Sequence, residues 1–113
     1  MNVKVARHGT VAVLKLQGNL MGGPDATAVN TKLHELLEGG TKNIVVDLSA
    51  VDFMNSSGLG ILIGGISAVK NAEGALKIAN ASAKIQSIIK IAKLTGVLEL
   101  YDTTEAAIAS FKI

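Results

Sequence analysis

The sequence contains no cysteine, which excludes a disulfide framework and any metal site built on thiolates. It also contains no tryptophan, and its aromatic residues are Phe53, Tyr101 and Phe111. The core must therefore consist of Val, Ile, Leu and Ala packed between thin layers. This composition favours a sheet covered by helices over a cleft lined with aromatic rings. A chain without cysteine suits a reducing compartment, and we expect the protein to be cytoplasmic.

An excess of charge of one sign is lacking as well. The formal net charge is +2, the only arginine is Arg7, and the lysines are spread along the chain with Glu73 and Glu99 between them. Binding to nucleic acid phosphates requires clustered positive charge, supported by arginine or aromatic side chains. We therefore expect no direct binding of nucleic acid.

Long apolar runs are also missing. The longest uncharged apolar run, Gly58 to Val69, is shorter than the roughly 20 residues that span a bilayer, and we interpret it as a buried helix. Met1 to His8 alternates polar and apolar residues, which is unlike a signal peptide. We expect no membrane insertion. With 113 residues, the chain is long enough for one domain, which we place at residues 1–113.

The apolar periodicity predicts the order β-β-α-β-α-β-α-β-α. An opening hairpin contains Val3, Val5 and the run Val11 to Leu16. The other predicted strands are Ile44 to Leu48, Ala75 to Ala79 and Val97 to Tyr101.

Apolar residues at helical spacing predict four helices between and after these strands. The first helix begins near Pro24, has Val29, Leu33, Leu36 and Leu37 at helical spacing, and is ended by Gly39 and Gly40. The second contains Leu59, Leu62, Ile63, Ile66 and Val69, and the third contains Ile85, Ile88, Ile89 and Ala92 and is closed by Gly96. The last helix opens at Asp102 and buries Ala107, Ile108 and Phe111.

Strands that alternate with helices predict an α/β fold, with a mixed β-sheet joined by right-handed crossovers. In such sheets, functional residues lie beyond the carboxyl ends of the parallel strands, where helix N-termini point outward. The first candidate is the loop from Asp52 to Gly60, which follows a buried strand and precedes a helix.

Two neighbouring hydroxyls lie at the start of this helix, on Ser56 and Ser57. One interpretation is structural: Asn55 or Ser56 caps the helix by accepting a backbone N–H bond, which is worth about 1 kcal/mol. The other is that a serine near the positive end of the helix dipole tolerates a phosphate. The two interpretations are compatible, because a capping hydroxyl can also accept a phosphate.

The predicted second helix contains four glycines, Gly58, Gly60, Gly64 and Gly65, and each costs about 1 kcal/mol relative to alanine. Close packing of the helix on the sheet is one explanation. The other is that Gly58 and Gly60 leave the backbone open to another protein.

The run Phe53-Met54-Asn55-Ser56-Ser57-Gly58-Leu59-Gly60, preceded by Leu48-Ser49-x-Val51, resembles the signature of the bacterial anti-sigma factor antagonist family, the STAS domain. Leu16 to Leu20 and Lys93 to Gly96 also fit, so the resemblance extends from about Val3 to Phe111. It implies a mixed sheet with helices packed mainly on one side. It also implies that the unphosphorylated protein binds an anti-sigma factor with serine kinase activity and releases a sigma factor. Phosphorylation of the first serine of Ser-Ser-Gly, here Ser56, would reverse this.

The expected partner-binding residues follow from this resemblance and are Asn55, Ser56, Ser57, Gly58, Leu59, Gly60 and Ile61. Ile61 falls outside the apolar stripe of its helix, so we expect it to face away from the sheet and contact the partner; burial under a neighbouring helix is the alternative. Two positions depart from the family pattern. Asn55 stands where Asp is usual, and Met21 replaces an acidic residue.

Other kinds of site have weaker support. The spacing of Gly58, Gly60 and Gly64 misses the dinucleotide motif by one residue, and there is no phosphate-binding P-loop. Ser56 is not in a Gly-x-Ser-x-Gly elbow, and no histidine is expected near it.

His8 and His34 lie on different predicted elements, which argues against a metal site. Of Asp47 and Asp52, we expect one to end a strand and the other to turn the loop. We therefore expect a binding protein and not an enzyme, with no catalytic residues, cofactor or metal. A nucleotide-binding sensor, or a scaffold module of another signalling complex, with the same fold is the alternative.

Overall fold

The computed structural model describes residues 1–94, 96 and 98–111. Within them, five strands form one sheet in the order β1-β2-β3-β4-β5, with β1 antiparallel to β2 and all other pairs parallel. The strands are β1 (Asn2–His8), β2 (Val11–Gln17), β3 (Asn43–Ala50), β4 (Ala75–Ala79) and β5 (Leu100–Tyr101). The helices are α1 (Pro24–Glu38), α2 (Ser56–Asn71), α3 (Ala83–Ile91) and α4 (Thr104–Ala109). The predicted α/β class and order of elements are confirmed.

Both faces of the sheet are covered, but unequally. Alternate residues of β2 point to opposite faces, so Leu14 and Leu16 enter the main core while Val11 and Val13 enter a smaller one. The main core also receives the buried side chains of α1, α2 and α3. The smaller core is closed by α4 through Ala107. Helices therefore pack mainly on one side, as expected.

Helix α1 begins and ends as predicted. Pro24 lies in its first turn, where a missing N–H costs no intrahelical bond, and Gly39 is its C-cap. Val29, Leu33 and Leu36 are buried against the sheet, which confirms the helical spacing. None of the helices within residues 1–94, 96 and 98–111 combines the length and the apolar character required to cross a membrane.

Three boundaries near the C-terminus differ from the prediction. Helix α3 ends at Ile91 with Ala92 as its C-cap, and Lys93 adopts a left-handed φ of 60°, so Gly96 does not close it. Helix α4 begins at Thr104 because the Thr103 hydroxyl accepts a bond from the Ala106 N–H at 3.0 Å, so Asp102 is not its first residue. The last described strand is Leu100–Tyr101; the predicted start, Val97, lies outside the described residues.

Asp47 was expected either to end a strand or to turn a loop, and this is wrong, because β3 continues to Ala50. Its carboxylate is buried and accepts hydrogen bonds from the Ser49 N–H and the Asn80 side-chain amide, both at 2.9 Å. The Asn80 amide also donates to the Thr104 hydroxyl at 2.8 Å. The Asp47 carboxylate thus links β3 to the residues that follow β4 and to the start of α4.

We expect Asp47→Ala to lower the free energy of unfolding by about 1 to 3 kcal/mol, because it leaves donors on Ser49 and Asn80 without their acceptor. Asp52→Ala is the matched control, since Asp52 is exposed, and it should change stability by no more than about 0.5 kcal/mol. Urea denaturation of both variants measures the difference. Equal stabilities would contradict a structural role for the Asp47 carboxylate.

Candidate functional site

Helix α2 starts where the chain leaves β3, and Asn55 holds this start in place. Asn55 is the N-cap: its side-chain oxygen accepts a bond from the Gly58 N–H at 2.8 Å. Its side-chain amide donates to the carbonyl of Met21 at 3.1 Å. The capping interpretation is therefore confirmed for Asn55, and the same side chain ties the helix to the loop before α1.

The loop before α1 runs alongside the segment before α2. Leu20 and Met54 form a parallel bridge, in which the Leu20 N–H donates to the Phe53 carbonyl at 3.0 Å. The Asn55 N–H donates in turn to the Leu20 carbonyl at 3.4 Å. These bonds continue the pairing of β2 with β3 beyond the strands. They fix the position of the first turn of α2.

Close packing explains Gly58, but against this loop and not against the sheet as expected. A Cβ atom added at Gly58 would lie 2.7 Å from the carbonyl carbon of Leu20 and would overlap its carbonyl oxygen. The interpretation that Gly58 leaves the backbone open to a partner is therefore wrong. Gly60 differs, because it is exposed and an added Cβ would meet no atom within 4 Å.

The two serines are both exposed in the first turn of α2, but their surroundings differ. Ser57 lies against the loop before α1, since its Cβ is 3.0 Å from the place a Cβ would take at Gly22. Ser56 is the first residue of the helix and borders a groove on the opposite side. The first turn contains no acidic side chain, and the N–H groups of Ser56 and Ser57 have no partner inside the helix. This is a favourable electrostatic setting for an anion on Ser56.

The groove lies between the start of α2 and the end of α3, and we call it the α2–α3 groove. Its volume is about 290 Å³, and Asn55 and Ser56 form part of its border. Its apolar lining consists of Phe53, Met54, Leu59, Ile88, Ile91 and Ala92. Ile91 is 81% exposed, an unusual state for a large aliphatic side chain.

Ile61 was expected to face away from the sheet, and this is wrong: it is only 8% exposed and belongs to the main core. The reason is that α2 packs against both α1 and β4, so its buried surface is wider than one apolar stripe. Leu59 is likewise buried. Neither side chain protrudes from the surface, although Leu59 lines the α2–α3 groove.

The predicted partner-binding residues therefore divide into two groups. Ser56, Ser57 and Gly60 are exposed and Asn55 is half-buried, whereas Gly58, Leu59 and Ile61 are buried. Sequence reasoning missed Ile91, although it falls outside the apolar stripe of α3 as Ile61 does in α2. It also missed the exposure of Met21, which is 45% exposed on the loop that meets Asn55.

Neither histidine lies in the segment 52–61 or lines the α2–α3 groove. His8 lies on β1 and His34 on α1, and both are exposed. Within residues 1–94, 96 and 98–111, no group of three His, Asp or Glu side chains could hold a metal ion. The fold and the site together define a mixed α/β protein that presents an exposed serine at a helix start beside an apolar groove.

Comparison with known proteins identifies the family. Residues 2–107 match the STAS domain family model. The chain is 32% identical over 90 residues to the anti-sigma-B factor antagonist of Bacillus subtilis. The aligned residues cover 77% of this chain and 79% of that protein. The chain therefore belongs to the STAS domain family of anti-sigma factor antagonists.

Solved structures agree with the fold. An anti-sigma factor antagonist from Mycobacterium paratuberculosis superposes with a TM-score of 0.84 at 23% identity, covering 99% of this chain and 94% of that one. The Bacillus cell fate determinant SpoIIAA in its phosphorylated form superposes with a TM-score of 0.72 at 20% identity, covering 97% and 99%. At these identities, the likeness establishes the fold.

Proposed function

We propose that this protein is an anti-sigma factor antagonist whose unphosphorylated form binds an anti-sigma factor with serine kinase activity and thereby releases a sigma factor. One observation carries the proposal: the Ser56 hydroxyl is exposed at the first residue of α2, on the border of an apolar groove. The Bacillus subtilis relative, an anti-sigma-B factor antagonist, supports the choice of partner.

Phosphorylation of Ser56 is the proposed switch. A phosphate there would lie at the positive end of α2, near N–H groups without intrahelical partners. The solved structure of SpoIIAA in a phosphorylated form supports the idea that this fold accommodates the modification. Asn55 adds no negative charge beside the phosphate, and its role as N-cap does not require one.

Ser56 is preferred over Ser57 as the acceptor. Ser57 lies against the loop at Gly22, which limits the approach of a kinase from that side. Ser56 borders the open α2–α3 groove instead. The position of Ser56 in the family signature leads to the same choice.

We expect the anti-sigma factor and ATP to place one phosphate on Ser56. The kinase is obtained from the source cells by capture on immobilised Ser56→Ala protein, identified by mass spectrometry and then purified. Peptide mapping after incubation should find phosphate on the wild type and on Ser57→Ala, and none on Ser56→Ala. Phosphate on Ser57 alone would refute the assignment.

A calorimetric titration with ATP and GTP, without any protein partner, distinguishes this function from a nucleotide-binding sensor. The antagonist alone should give no binding heat at micromolar concentrations, because the groove beside Ser56 is lined by apolar side chains. Tight nucleotide binding would favour the sensor.

A further inference from the structure

We propose that the α2–α3 groove receives an apolar side chain carried by an acidic segment of the anti-sigma factor. The inference rests on the proposed function, and it names the surface and the kind of contact on which partner binding depends. It assigns a binding role to Ile91, outside the signature that surrounds Ser56.

The shape of the groove suits a side chain. Its volume of about 290 Å³ is just below the roughly 300 to 1,000 Å³ that small-molecule pockets occupy. Phe53, Leu59 and Ile88 line it, and Ile91 at the end of α3 adds a side chain that is 81% exposed. Filling the groove would bury Ile91, and apolar anchors in such pockets dominate the energetics of many interfaces.

The charge around the groove indicates what kind of partner segment carries the apolar side chain that fills it. Helix α3, which forms one wall of the groove, carries exposed Lys84 and is followed by exposed Lys93, and residues 83–93 include no Asp or Glu; Lys90 is also exposed but lies on the side of α3 near Leu100. The Lys84 ammonium lies 5.1 Å from the centroid of the Phe53 ring, which places positive charge beside the groove. Asp52, next to Phe53 in the chain, is an opposing carboxylate. Electrostatic complementarity therefore favours an acidic partner segment.

A lipid surface fits these observations less well, although α3 is basic and amphipathic. A helix that lies in a membrane interface inserts a broad apolar face. The apolar face of α3 is directed into the protein, because Ile85 and Ile89 are fully buried. Ile91 and the half-buried Ile88 leave a concave apolar surface, which suits a protruding side chain.

This surface also explains the direction of the switch. Ser56 is on the border of the groove, so a phosphate there would meet the acidic segment as it docks. The same phosphate would lose its hydration against an apolar surface. Both effects oppose binding of the partner.

The test is calorimetric titration of the purified anti-sigma factor into wild-type protein and two variants at Ile91. We expect Ile91→Ala to weaken binding about tenfold or more, and Ile91→Asp to weaken it further. Val5→Ala is the matched control: Val5 is also exposed and aliphatic but lies on edge strand β1, and its variant should bind like the wild type. The urea midpoint of Ile91→Ala should match that of the wild type.

A second measurement tests the acidic segment. Affinity should fall as salt is raised, and Lys84→Ala should both weaken binding and make the salt dependence shallower, because the Lys84 ammonium lies beside Phe53 of the groove. Affinity that is independent of salt would overturn the charge assignment. Cosedimentation with phosphatidylglycerol vesicles that is lost in Ile91→Ala, without a loss of anti-sigma binding, would assign the surface to lipid instead.

The outcomes separate this inference from the proposed function. If Ile91→Ala binds within about twofold of wild type while phosphorylation of Ser56 still prevents binding, the groove inference is wrong and the antagonist function stands. If the purified anti-sigma factor does not bind unphosphorylated wild type, the antagonist function is wrong and the groove inference fails with it.

Discussion

Phosphorylation of Ser56 is expected to lower the affinity for the anti-sigma factor by about three decades without changing the fold. In a docked complex, a like charge about 4 Å from the phosphate costs on the order of 4 kcal/mol at an effective dielectric of 20. Because each 1.4 kcal/mol corresponds to about tenfold in affinity, this single interaction accounts for the predicted loss.

The fold is expected to remain intact because the phosphate is added at a favourable place. A phosphate at a helix N-terminus gains roughly 0.3 to 2 kcal/mol from the helix dipole. Ser56 is exposed, so the phosphate displaces no core side chain. The switch then acts by blocking an interface and not by rearranging the domain.

Titration calorimetry of the phosphorylated and unphosphorylated proteins measures the loss, and backbone amide chemical shifts report on the fold. Ser56→Ala should bind like the unphosphorylated wild type, and Ser56→Asp, with about half the charge of a phosphate, should bind more weakly. Ser57→Asp is the matched control and should weaken binding less, since Ser57 lies against the loop at Gly22. Equal affinities of the two forms, or shifts far from Ser56, would contradict the interface mechanism.

Gly58→Ala is expected to be among the most destabilising single-methyl additions in the molecule, lowering the free energy of unfolding by about 3 kcal/mol. The new Cβ would overlap the backbone carbonyl of Leu20, which cannot rotate away as a side chain can. Moving that carbonyl would disturb its bond from the Asn55 N–H and the neighbouring bond from the Leu20 N–H to Phe53.

Gly60→Ala provides the matched control in the same helix. An added Cβ there meets open space, so the substitution should stabilise the protein by about 1 kcal/mol through helix propensity. Urea denaturation of the two variants should therefore give opposite signs. If Gly58→Ala were as stable as Gly60→Ala, the close contact between α2 and the Leu20 loop would be disproved.

Gly58→Ala should also weaken partner binding measured by titration calorimetry, in contrast to Gly64→Ala, which adds a Cβ in open space of the same helix and is not among the expected partner-binding residues. The bridge between Leu20 and Met54 and the cap at Asn55 position the first turn, and Ser56 follows directly. A shifted loop would move this turn.

The sequence alone determined the elements and their order, because strand and helix periodicity is a local property. Strand β4 was predicted residue for residue as Ala75–Ala79, and Pro24 and Gly39 correctly delimit α1. The sequence placed the N-cap of α2 at Asn55 or Ser56, and the structure decides for Asn55. The end of α3 could not be predicted correctly from the sequence. Gly96 was expected to close the helix, but Lys93 adopts the left-handed conformation that is more typical of glycine.

Only the tertiary structure decided which side chains of the site are accessible. Ile61 and Ile91 both fall outside the apolar stripe of their helix, yet the first is 8% exposed and the second 81%. The difference arises because α1 packs beside α2, whereas the end of α3 borders an open groove. Gly58 is a second example, because the carbonyl that excludes a side chain there belongs to Leu20, in a loop that is distant in the sequence but close in space. Periodicity describes the faces of one element, but burial depends on the elements that chain topology brings against those faces.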